Sequence, residues 1–190
     1  MQVRLLEPDD VRIHFEAACT RLGGGEARRI FSMALNKEGR KSFTQLRRAL
    51  AQQSSISRGA VNAATRFQSA TRADLTTITS GTGRHLPLSL FGAKQFSYGV
   101  RAKIWGRAQT FPSAFVVARY GGGVFKRTSA KRFPIEQLWG PAVPVEMLRD
   151  QAYAAWTDQH PRVLEESARL IALVLTGAGF RGLPRNRSPA

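Results

Sequence analysis

The stretch Gln95-Phe96-Ser97-Tyr98-Gly99-Val100-Arg101-Ala102-Lys103-Ile104-Trp105 decides the fold class. Phe96, Tyr98, Val100, Ala102 and Ile104 alternate with Ser97, Gly99, Arg101, Lys103 and Trp105, and a period of two is that of a strand with one buried face. This predicts one strand over 95–105, with Arg101 and Lys103 together on its exposed side. Stretches 74–79, 86–91, 114–120 and 124–127 are also rich in β-branched and aromatic residues, and Gly, Pro, Ser and Thr separate them. The segment from about 65 to 133 therefore reads as an antiparallel meander. Gly121-Gly122-Gly123 reads as a hairpin turn, with Lys126 and Arg127 on the returning strand.

On the amino-terminal side the period changes to that of a helix. Asp9 or Asp10 can cap a segment over 11–22, Gly23-Gly24-Gly25 interrupts it, and a second run begins at Glu26. Ala27, Ile30, Phe31, Ala34, Leu35, Phe43, Leu46 and Leu50 then recur three or four apart, one buried stripe on a long helix. Gly39 lies on that stripe and points to a kink or a close contact, because it costs about 1 kcal/mol of helix propensity relative to alanine. Ser54, Ser55 and Ser57 end the run, and 56–64 reads as a short helix. On the carboxyl-terminal side, Pro134, Pro141 and Pro144 make a corner that is neither regular helix nor central strand. Helices are expected over 145–156 and from His160-Pro161 onward, the latter with a stripe of Val163, Leu164, Ala168, Ile171, Val174 and Leu175 and a stop at Gly177.

The expected class is α+β: an antiparallel β-sheet flanked by a long N-terminal helix and C-terminal helices. A chain of 190 residues suits one domain, here 1–180, divided into a helical part (1–64), the meander (65–133) and a proline-rich corner with helices (134–180), followed by a mobile basic tail (181–190). The single cysteine, Cys19, reads as a small core residue and cannot form an internal disulfide. No stretch reaches the ~20 apolar residues of a membrane span and the first residues do not read as a signal peptide, so a membrane role is not expected.

Charge is the outlier of the composition. Lys and Arg number 29 against 13 Asp and Glu, a formal charge of +16, and like charge on that scale calls for an anionic partner. The excess is local: 65–133 holds 12 basic residues and one acid, Asp74, whereas 134–190 holds 6 of each sign. Arg101, Lys103, Arg107, Arg119, Lys126, Arg127, Lys131 and Arg132 share this segment with Phe96, Tyr98, Trp105 and Phe125. That mixture suits contact with a nucleic-acid backbone or an acidic protein, though it matches no base-reading module. Arg132 has an alternative role as a strut to Glu136 or Glu146.

Catalysis finds little support. His14, His85 and His160 have no second histidine, cysteine or carboxylate at metal-ligand spacing, and the pairs Asp9-Asp10 and Glu165-Glu166 read as residues complementing helix starts. Neither glycine run has the strand, helix and lysine of a phosphate-cradling loop. No cofactor, metal or enzymatic activity is expected.

Residues 132–144, RFPIEQLWGPAVP, preceded by VFKR at 124–127, resemble the prophage minor tail protein Z family of tail-completion proteins. Ala34-Leu35-Asn36, the stretches 91–95 and 99–106, and Ala114-Phe115-Val116-Val117 fit the same family in the same order, so the resemblance runs over about 30–155. Its most specific part is the corner of Arg132, Pro134, Ile135, Gly140, Pro141 and Pro144. The resemblance implies a virion structural protein of a long-tailed phage or prophage, made in the bacterial cytoplasm and placed in the neck region at the head-proximal end of the tail. It implies a ring of copies, sixfold by analogy, that helps join tail to head and lets DNA pass. Its neighbours would be tail terminator, tail tube, tape-measure or head-connector proteins, and packaged DNA. A nonspecific basic DNA-binding protein is the alternative that the charge alone suggests.

Overall fold

The computed structural model describes residues 2–5, 24–158 and 160–175. In chain order the elements are β1 (Gln2–Leu5), α1 (Gly24–Ser54), α2 (Arg58–Ala64), β2 (Thr65–Gln68), β3 (Ile78–Thr82), β4 (His85–Pro87), β5 (Lys94–Phe96), β6 (Gly99–Ile104), β7 (Arg107–Pro112), β8 (Ala114–Val117), β9 (Gly123–Arg127), β10 (Ile135–Gln137), β11 (Trp139–Ala142), α3 (Val143–Glu146), α4 (Asp150–Thr157) and α5 (His160–Leu175). Single 3-10 turns follow β4 and β8. The fold is α+β, with a long N-terminal helix, C-terminal helices and small antiparallel sheets rather than one continuous meander. The strands order as β1-β3-β2, β5-β6-β7, β10-β9-β8 and β11-β4. The expected helix over 11–22, its caps Asp9 and Asp10, His14, Cys19, Gly177 and the tail 181–190 lie outside the described residues.

Contacts divide the described residues into two compact units, one of 2–4, 43–66 and 79–156, the other of 5, 24–42, 67–78, 157–158 and 160–175. In the second unit, Ala27, Phe31 and Leu35 of α1 pack with Ala70, Val163 and the half-buried Leu75, Leu164 and Ile171. Ile30, Ala34 and Leu170 form a second cluster, with Met33 and Val174 against it. The α5 stripe thus runs through Leu170, while Ala168, expected on it, is exposed. Gly39 marks a close contact and no break: α1 continues through it, and a Cβ there would lie 3.1 Å from the Phe67 ring. The strand expected over 74–79 begins only at Ile78. Before it, Thr71 N–H donates to Asp74 O (2.7 Å) and Asp74 N–H to Thr71 Oγ1 (2.9 Å), local bonds that compete with a ladder. The Asn36 side chain fastens the same loop through both hydrogen bonds to Ala70, each 2.8 Å.

Glu166 is not a helix-start residue: it sits beyond the first turn of α5, buried, with Lys37 Nζ at 2.8 Å and Arg169 Nη2 at 2.7 Å. The Arg169 guanidinium, helped by Lys37, holds its carboxyl down at about 2 from the usual 4.5, against the upward push of burial.

In the first unit, α1 ends where Ser54 Oγ donates back to Leu50 O and Ser55 takes a φ of 61°; Ser57 then caps α2, accepting from Ala60 N–H at 3.3 Å. Val100, Ala102 and Ile104 of β6, Ala114 of β8 and Val124 of β9 are buried, as are Leu88, Phe91 and Met147. The single helix expected over 145–156 is two: α3 opens with Pro144 in its first turn, and Asp150, at a φ of 40°, precludes continuation into α4.

Candidate functional site

The stretch 95–105 is a hairpin and not one strand. β5 and β6 are joined by a turn at Ser97 and Tyr98, with Phe96 opposite Gly99 and Lys94 opposite Arg101. Two inserted turn residues reverse the parity of the alternation. Phe96 consequently shares a face with Gly99, Arg101 and Lys103, and not with the buried Val100, Ala102 and Ile104. Phe96 and Tyr98, expected in the core, are exposed at 39% and 53% and stack on each other, with centroids 5.4 Å apart and planes 5° from parallel. The reading of Arg101 and Lys103 as exposed on one side holds.

β7, which the composition of 107–112 does not suggest, extends this sheet, with Thr110 opposite Arg101 and Ala108 opposite Lys103. Its turn is Trp105-Gly106, both at positive φ (49° and 71°), the conformation a two-residue hairpin needs. Trp105 is an unusual residue for that position and is held from three sides. Its ring N–H donates to Glu146 Oε1 (3.1 Å), its backbone N–H to Ser54 O (3.4 Å), and Gly106 N–H donates to Ser55 Oγ (2.9 Å). Glu146, 2% exposed, also accepts from Gln53 Nε2 at 3.2 Å and pairs with Arg149 at 3.4 Å. Gln53 in turn accepts from Ala152 N–H at 3.0 Å. One buried carboxylate thereby ties the β6–β7 turn to the ends of α1 and α3 and the start of α4.

The eight expected cations are all exposed, but they do not share one face. Arg101 and Lys103 lie together, joined by Lys94, which the sequence reading missed because only the hairpin register brings it opposite Arg101. Arg107 pairs with Ile104 and so belongs to the other side of the same sheet. Lys126 and Arg127 are adjacent on β9 and point to opposite faces; the Arg127 guanidinium lies 4.8 Å from the Phe115 ring centroid. Arg119 sits in the 3-10 turn after β8, and Lys131 and Arg132 in the loop between β9 and β10. Arg132 lies over Phe133 at 5.7 Å and pairs with neither Glu136 nor Glu146, so it is no strut. None of the eight forms an ion pair among the described residues.

The corner 132–144, expected to be neither regular helix nor central strand, contains two edge strands: β10 pairs with β9 and β11 with β4. Leu138 between them joins both, donating to Val124 O (2.8 Å) and accepting from Leu88 N–H (3.2 Å). Gly140 is required by Phe91, whose ring a Cβ would meet at 2.6 Å, and the Gly140 carbonyl lies 2.9 Å from His85 Nδ1. Pro141 and Pro144 are buried, while Pro134, after a cis peptide, is exposed and Ile135 half-buried. These motif residues build the corner, and Pro144 also lines a cavity with Arg84, His85, Trp139, Ala142 and Val145. Among the described residues no cluster of His, Cys, Asp or Glu could hold a metal, and no helix is long and apolar enough to cross a membrane. Comparison of the chain with family models, with curated proteins and with solved structures returns no match.

Proposed function

We propose that this chain is a structural subunit of a long-tailed phage or prophage particle, a minor tail protein at the head-proximal end of the tail that works as a ring of copies and not as an enzyme. The resemblance of 132–144 to tail-completion proteins supplies the class. The observation that carries the physics is the set of exposed cations on β5–β9 that form no ion pair among the described residues, a surface whose charge favours an anionic partner against it. Lys94, Arg101 and Lys103 are the three that share a face. In a sixfold ring they would place about 18 positive charges along the path of a nucleic acid passing through the bore, and the remaining cations would meet acidic faces of adjoining tail or connector proteins.

The test is location and assembly. Whole particles purified from an induced lysogen should contain the chain at one tail end, by labelled-antibody electron microscopy, and the isolated full chain should form rings in negative stain. A stable monomer that is absent from particles overturns the proposal. A free DNA-binding module would instead bind duplex as an isolated subunit, with an affinity that falls steeply with salt.

A further inference from the structure

The face of the β5–β6 hairpin carries more than positive charge. Two aromatic rings, Phe96 and Tyr98, stand in solvent at the turn, stacked almost in parallel on each other. Exposed aromatic surface gains free energy when another flat apolar group covers it. Along the same face lie Lys94 and Arg101 as cross-strand partners, then Lys103 two residues on, roughly 7 Å along the strand. The floor beside Arg101 and Lys103 is small and exposed, with Thr110 and Ala108 as their partners in register, so a chain could lie close to the sheet there. The segment 75–135 contains no acid to repel an anion.

A ligand that uses all of this has regularly spaced negative charges and planar rings that are free to stack. Duplex DNA would satisfy the cations and leave the rings idle, because its bases already stack on one another. An acidic peptide supplies charge without a ring at every step. A single-stranded nucleic acid supplies both. The nearest amide side chain, Gln95, is engaged: it accepts from Val116 N–H at 2.7 Å and donates to Phe96 O at 3.1 Å, so it is not available to read a base edge.

We infer that Lys94, Phe96, Tyr98, Arg101 and Lys103 form a sequence-tolerant binding face for single-stranded nucleic acid, the cations on phosphates and a base continuing the aromatic stack. This rests on the reading that the sheet face meets a polyanion, and it names which one.

The full chain is titrated, by fluorescence anisotropy, with a labelled oligothymidylate of about 12 nucleotides, an abasic strand of equal charge, and a duplex of equal length. The oligothymidylate should bind at least about fivefold more tightly than the abasic strand, the lower end of what one stacked base contributes. Phe96→Leu with Tyr98→Leu should abolish that ratio. Arg101→Gln with Lys103→Gln should keep the ratio and reduce the slope of log affinity against log salt by about 1.4. The charge-matched pair Arg58→Gln with Arg84→Gln should leave ratio and slope unchanged. Equal affinity for abasic and base-bearing strands overturns the inference, as does a ratio that survives in a Phe96→Leu, Tyr98→Leu chain with an unaltered melting curve. A chain found at the tail end that shows no preference for bases sinks this inference alone. A base preference in a chain absent from particles sinks the ring proposal alone.

Discussion

Replacing Glu146 by alanine should destabilise the first unit out of proportion to the size of the side chain removed. The carboxylate is 2% exposed and accepts from the Trp105 ring N–H at 3.1 Å and Gln53 Nε2 at 3.2 Å, with Arg149 at 3.4 Å. Hydrogen bonds to a charged acceptor contribute roughly 1.5–3 kcal/mol each, and a donor left buried without a partner costs a similar amount. Arg149, 55% exposed, adds little because water screens it. Gln53 keeps its second bond, to the Glu146 backbone carbonyl at 2.9 Å, which survives the substitution. The expected loss is therefore about 3–4 kcal/mol, a large share of the roughly 5–15 kcal/mol that holds a domain together. Urea unfolding followed by tryptophan fluorescence measures it, and the double-mutant cycle of Glu146→Gln with Trp105→Phe isolates the indole bond, with an expected coupling of about 1–2 kcal/mol. A Glu146→Ala loss under about 1 kcal/mol, or a coupling indistinguishable from zero, refutes the view that this carboxylate pins the β6–β7 turn. The consequence reaches the surface, since the same turn closes the strand that displays Arg101 and Lys103.

Three further outcomes are expected. The folded-state pKa of Glu166 lies below its unfolded value, so its contribution is fully present above about pH 4.5 and is lost as the pH falls toward 2. With Lys37 and Arg169 each about half exposed, the amount is about 1–2 kcal/mol, and Glu166→Gln should flatten that acid limb of a urea-midpoint profile measured from pH 6 down to about 2. Gly140→Ala forces a methyl against the buried Phe91 ring and should cost about 1–3 kcal/mol in chemical unfolding, with partial recovery on adding Phe91→Leu; an unchanged midpoint would show that the corner is loose. Ser57→Ala removes the cap of α2 and should lower stability by about 0.5–2 kcal/mol, while Ser57→Asp should retain most of it.

Legibility followed the range of the interactions. The α1 stripe was readable because its period is local and long: all its positions except the half-buried Phe43 are buried. The serines after Leu50 were readable because capping is also local. What escaped were features that depend on partners distant in sequence. Trp105-Gly106 does not look like a turn, since tryptophan gives no local reason for a positive φ; the reason is a carboxylate 41 residues away. Glu166 looked like a helix-start acid because nothing nearby in sequence shows that Lys37 reaches it. The strand at 107–112 is mostly polar or half-buried, so no alternation marked it, and only pairing with β6 defines it.

The misreading of 95–105 bears directly on function. A single strand would have put Phe96 and Tyr98 in the core and left Trp105 as the one ring on the face of Arg101 and Lys103. The two-residue turn moves both rings to the face of Lys94, Arg101 and Lys103. Aromatic surface next to unpaired charge is specific in a way that charge alone is not, because it distinguishes a partner with free rings from one without. The remaining cations are dispersed: Lys126 and Arg127 diverge, Arg127 already lies against Phe115, and Arg132 lies over its neighbour Phe133. If the excess charge served solubility alone, nothing would favour placing two exposed rings among its cations. Removing the rings and removing the charges should therefore weaken binding through separable terms, the first independent of salt and the second expressed in its slope.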